Sequence, residues 1–132
     1  MPSALMTKLI FFLAAGAIGF VIDATFFFIL LRGIGVSILW SRVIASCVAI
    51  FVTWLLNRSY AFRSAQAGSI LSEFGKYFLA SSLGASTNLL VLLVVASQDA
   101  AAYHIPAYIL GTGAGLIVNY VLYNRFVFFR GV

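Results

Sequence analysis

Four long apolar runs divide the chain: Leu9 to Leu31, Ser41 to Phe62, Phe74 to Ala96 and Ile105 to Phe129. Each reaches the roughly 20 residues that a helix needs to cross a hydrocarbon core about 30 Å thick. A transmembrane barrel would instead need short alternating strands, and an open sheet edge would leave backbone groups that lipid cannot satisfy. The pattern therefore predicts an all-α integral membrane protein of four transmembrane helices, with residues 1–132 forming a single transmembrane domain. The first run is too long for a secretory signal, although Ala14 to Gly19 is rich in small residues.

The runs are also related to one another. Asn57-Arg58-Ser59-Tyr60-Ala61-Phe62-Arg63 and Asn124-Arg125-Phe126-Val127-Phe128-Phe129-Arg130 share Asn-Arg-x-x-x-Phe-Arg at a shift of 67 (57 to 124). The first and third runs match at a shift of 65, which sets Ala15 on Ala80, Gly19 on Gly84 and Asp23 on Asn88. Two helical-hairpin repeats follow, residues 8–63 and 74–130. A hairpin crosses the bilayer twice, so both copies start on one side and the repeats are parallel.

Composition agrees with lipid as the solvent. At 64% hydrophobic and 8% charged, the 132-residue chain has more apolar surface than a soluble domain of this length could hide. Its net charge of +5 reads as topology and contact with anionic headgroups of membrane lipids, because the basic residues sit at helix ends. Nucleic acid is not expected as a partner. With the N-terminus cytoplasmic, Lys8, Arg58, Arg63, Lys76, Arg125 and Arg130 share that face and only Arg32 and Arg42 lie opposite. That asymmetry puts both termini inside. Trp54, Tyr60, Tyr77 and Tyr123 would form an inner aromatic belt, and Trp40, Tyr103 and Tyr108 an outer one.

Some residues carry candidate chemistry. Asp23 falls about 21 Å along its helix, past the midplane, where an acid costs on the order of 3 kcal/mol and should face a bundle interior or a wet cavity. Asp23 and Asn88 either bind adjoining helices together or line a path for a polar headgroup or a proton. Asn57 and Asn124 lie beside Arg58 and Arg125, whose guanidinium groups suit a lipid phosphate; ordinary snorkelling is the plainer reading. Asn119 extends the polar line on the fourth helix only, its counterpart at the same shift being Val52. Arg42, in the first turn of the second helix, needs an anion there. A lipid phosphate would serve, outward snorkelling would relieve it, and Asp23 is another partner.

Glycine and alanine pairs, Ala15 and Gly19, Ala80 and Gly84, Gly111 and Gly115, Ala45 and Ala49, mark faces for close helix approach. No metal, cofactor or enzymatic activity is expected. Cys47 is alone, His104 is the single histidine, and Asp23, Glu73 and Asp99 fall at different depths. Gly111-x-Gly113-x-Gly115 has no strand before it, as a dinucleotide-binding loop requires.

The opening Phe12-Leu13-Ala14-Ala15-Gly16-Ala17-Ile18-Gly19 with Asp23, and above all the repeated Asn-Arg-x-x-x-Phe, resemble the GtrA-like family over nearly the whole chain. Such proteins are small four-helix membrane proteins associated with cell-surface polysaccharide synthesis. The resemblance implies flipping of polyprenyl-phosphate-linked sugars across the inner (cytoplasmic) membrane. Arg58, Arg125 and Arg42 would hold lipid phosphate, and Asp23, Asn57, Asn88, Asn119 and Asn124 would line the headgroup path. Four helices offer little interior, so a homo-oligomer is expected. The alternative is a non-transporting scaffold that recruits or orients a membrane glycosyltransferase. A small cation or drug transporter fits less well, with one buried acid against several arginines.

Overall fold

The computed structural model describes residues 3–63, 68–96 and 104–128. All regular structure among them is helical: α1 (Ala4–Phe28), α2 (Ile38–Leu56), α3 (Ile70–Ala96) and α4 (His104–Leu122). The chain divides into two compact units, Met1–Gln66 and Ala67–Val132, each holding two of these helices. Ala4–Ile34 and Leu39–Ala61 are each long and apolar enough to cross a membrane.

Among the described residues, π-helical turns follow three of the helices, Ile29–Ile34 after α1, Asn57–Ala61 after α2 and Tyr123–Val127 after α4. A π turn closes each hydrogen bond over one extra residue; such turns are rare and are frequently found at functional sites. Ser3 caps α1 by accepting the Met6 N–H at 3.3 Å. At its other end Gly35 takes φ 81°, left-handed backbone open to glycine at little cost, while the Val36 N–H reaches back to the Leu30 carbonyl at 2.9 Å.

Each unit packs its two helices antiparallel along a seam of small residues. In the first unit Ala15, Gly19, Ala45 and Ala49 are buried, and a Cβ on Gly19 would overlap the Thr53 methyl. In the second, a Cβ on Gly115 would lie 2.8 Å from the Gly84 carbonyl oxygen and one on Gly111 2.8 Å from that of Asn88. Here backbone meets backbone. Gly111 and Gly115 therefore serve packing inside the second unit. Large apolar side chains point the other way: Ile10, Phe20, Leu39, Leu79, Leu90 and Ile117 are all exposed. Small residues within and large ones without suit a hydrocarbon surround, where close backbone approach rather than apolar burial holds helices together.

Candidate functional site

Asp23 follows Gly19 by one helical turn on α1, so it lies on the face turned to α2. Two α2 residues, themselves one turn apart, meet it there. Arg42 Nη1 is 2.6 Å from Asp23 Oδ2, and Ser46 Oγ donates to Asp23 Oδ1 at 3.1 Å. Both carboxylate oxygens are thus engaged. The pair is unequally placed, with 15% of the Asp23 side chain exposed against 61% for Arg42. The Phe27 ring, one turn beyond Asp23, lies 5.9 Å from the guanidinium carbon. Pairing and the Ser46 hydrogen bond offset part of the cost of an acid on an apolar helix. Of the readings open for Arg42, the structure realises the pairing with Asp23. Ser46 is not among the residues the sequence singles out; it shares a helix face with Arg42, four residues away, and only the structure shows that this face meets Asp23.

The second unit answers with neutral groups. Asn88 follows Gly84 as Asp23 follows Gly19, but its side chain and carbonyl sit over Gly111 and Gly115. The Asn119 side chain fills the notch at Gly84 in the same manner. Both amides lie in the α3–α4 seam. The Asn119 and Thr112 side-chain oxygens are buried with no hydrogen-bond partner among the described residues. Thr53 stands in the first unit where Asn119 stands in the second, each over its glycine. The expected Val52 counterpart is therefore corrected by one residue: the Thr53 methyl lies over Gly19 where the Asn119 amide lies over Gly84, while the Thr53 hydroxyl turns back to the Ala49 and Ile50 carbonyls.

The Asn-Arg pairs lie in the π turns, and the turns are not in register with the motif. Asn57 opens the first, is 2% exposed, and accepts the Phe62 N–H at 2.8 Å through its carbonyl. Tyr123 opens the second, 66 residues later (57 to 123), and its carbonyl accepts the Phe128 N–H at 2.9 Å. Asn124 therefore holds the place of Arg58. Its amide donates to the Tyr120 carbonyl at 3.0 Å. Arg125 holds the place of Ser59, and both are exposed. Arg58 is half-buried, its guanidinium carbon 5.8 Å from the Trp54 ring.

The profile of the GtrA/DPMS transmembrane domain matches residues 11–128. The chain belongs to this family. A search of the curated proteins found no match. Membership makes it a membrane protein with the all-α integral fold, and the many exposed apolar side chains suit such a surround.

The inner aromatic belt needs correction within this GtrA/DPMS domain. Trp54, Tyr77 and Tyr123 are 5%, 1% and 3% exposed, so they are internal packing, and only Tyr60 of the four is exposed. Tyr77 and Tyr123 stack with ring centroids 4.2 Å apart, and the Tyr123 hydroxyl shares a 2.7 Å hydrogen bond with Ser81. Trp40 is exposed, as an interface residue would be. Near the start of α1, Lys8 Nζ lies 4.3 Å over the Phe62 ring, whereas the residue at the like place in α3 is the buried Glu73. Among the described residues no three His, Cys, Asp or Glu side chains gather as a metal site would require. Asp99, Tyr103 and Arg130 lie outside the described residues, as do the side chains of His104 and Tyr108.

Proposed function

We propose that this GtrA/DPMS-family protein flips polyprenyl-phosphate-linked sugars across the inner (cytoplasmic) membrane, in support of cell-surface polysaccharide or glycan modification. One observation carries the reading: a guanidinium more than half exposed, Arg42, set beside a sheltered acid on otherwise apolar helices. A polyprenyl tail is at home in lipid, so the protein has only to shelter phosphate and sugar on the way across, which a partly open polar groove can do. Arg58 and Arg125 at the other end of their hairpins would gather phosphate on the cytoplasmic side, and Arg42 would receive it on the far side. Both termini lie in the cytoplasm in this reading, and the protein works as a homo-oligomer.

The scaffold reading draws on the second unit, where Asn88 and Asn119 are taken up by the helix seam. Purified protein in vesicles with a lipid-linked sugar tests the two readings. Transport predicts leaflet exchange above that of protein-free vesicles, slowed in Arg58→Lys because a lysine ammonium lacks the planar fork that holds phosphate bidentately. Exchange no faster than in protein-free vesicles would refute transport and favour the scaffold.

A further inference from the structure

We propose that Asp23 is a built-in competitor for the phosphate, so that Arg42 is shared between two anions. At rest the carboxylate holds the guanidinium; during passage the guanidinium turns to the lipid phosphate; the carboxylate then takes it back and the phosphate is released. This rests on the transport reading and adds how release occurs.

The geometry favours a transferable arginine beside a fixed acid. Asp23 keeps its place without Arg42, because Ser46 holds Oδ1 and the helix seam shelters the side chain. Arg42 meets Asp23 through Nη1 alone, and most of its side chain is open. A guanidinium has five N–H donors in a planar fork, so an open edge remains that matches a phosphate oxygen pair. The Phe27 ring, 5.9 Å from the guanidinium carbon, gives the group a second and uncharged contact beside Asp23. Only the Arg42 end of the pair is open, so a competing anion can reach the guanidinium without displacing Asp23. When Arg42 turns to the phosphate, it leaves a sheltered carboxylate uncompensated, and that penalty draws it back. A translocation site must bind firmly enough to load and loosely enough to unload. The second unit has no such device, since neutral Asn88 stands in the place of Asp23.

The test measures binding and exchange separately. Wild type, Asp23→Asn, Arg42→Gln and the double variant are placed in phosphatidylcholine nanodiscs, and binding of a short-chain polyprenyl-phosphate hexose is titrated. Phosphatidylglycerol and inorganic phosphate serve as the other phosphate sources. Asp23→Asn should bind the lipid-linked sugar about fivefold tighter, because Arg42 is no longer shared. It should also slow leaflet exchange in vesicles. Removing Arg42 should weaken binding about tenfold and abolish the effect of Asp23→Asn, and the double variant avoids leaving a lone buried acid.

Unchanged or weaker binding by Asp23→Asn, at wild-type thermal stability, would overturn the proposal. So would tightening that persists without Arg42, or tightening confined to phosphatidylglycerol or inorganic phosphate. Tightening that depends on Arg42, with no exchange by wild type, would sink transport and leave Arg42 shared between two anions in a non-transporting binder. Exchange by wild type with no tightening would leave transport standing and remove the competitor.

Discussion

The two hairpin units build the same seam and use it differently. Both place a small residue, a glycine and a polar side chain at successive turns of one helix: Ala15, Gly19 and Asp23 in α1, Ala80, Gly84 and Asn88 in α3. In the first unit the facing glycine positions are occupied by Ala45 and Ala49, and the polar side chain looks past them to Arg42 and Ser46. In the second they are Gly111 and Gly115, the backbones come closer, and Asn88 drops into the gap. A methyl group at two positions thus goes with a charged, partly open cluster, and its absence with a neutral, closed seam. Close packing and a polar site compete for the same helix face.

Giving the second unit a charge should have the largest effect. Asn88→Asp places an acid over Gly111 and Gly115, and should destabilise by about 3 kcal/mol, the order of the insertion penalty for an acid at depth. Unfolding in mixed micelles would measure it. A loss below about 0.5 kcal/mol would mean that the seam of the second unit is as open to charge as that of the first, and would end the comparison.

Closing the distance between the seams comes next. Gly115→Ala sets a methyl 2.8 Å from the Gly84 carbonyl oxygen, so the backbones must part, at about 2 kcal/mol. Gly113→Ala is the control on the same helix, since a Cβ there meets nothing within 4 Å. Equal melting temperatures for the two variants would show that the close approach carries no energy.

The smallest effect tests the ends of the hairpins. Tyr123→Phe removes the hydroxyl bonded to Ser81 and keeps the Tyr77 stack, so about 1 kcal/mol should be lost. Ser81→Ala should cost a similar amount, with little further loss in the double variant. Additive losses would mean that the two hydroxyls do not depend on each other.

Some of the candidate site was legible beforehand. Asp23 stood out because an acid on an apolar helix demands a partner, and Arg42 because a cation near a helix start does too. That each satisfies the other was one alternative among three. Ser46 was not legible, since a serine in an apolar run is ordinary until a neighbour is known. The aromatic belt misled for a related reason: Trp and Tyr near a helix end favour the interface, but Trp54, Tyr77 and Tyr123 find more contact inside.

The order of apolar runs and the spacing of their small residues determined, without coordinates, that the chain is helical, spans a membrane and packs through glycine and alanine faces. Lipid cannot satisfy a bare backbone, so long apolar runs have few other forms to take. Register was decided elsewhere. By sequence Asn57 pairs with Asn124; by structure it pairs with Tyr123, because the turn that closes on residue 57 in one unit closes on residue 123 in the other. The Tyr77 ring and Ser81 hydroxyl that receive Tyr123 come from a different helix, some 40 residues away, as the separation of 42 between Ser81 and Tyr123 attests. A π turn adds one residue to a helical ladder at little cost in backbone hydrogen bonds, so what packs against the turn chooses where that residue goes.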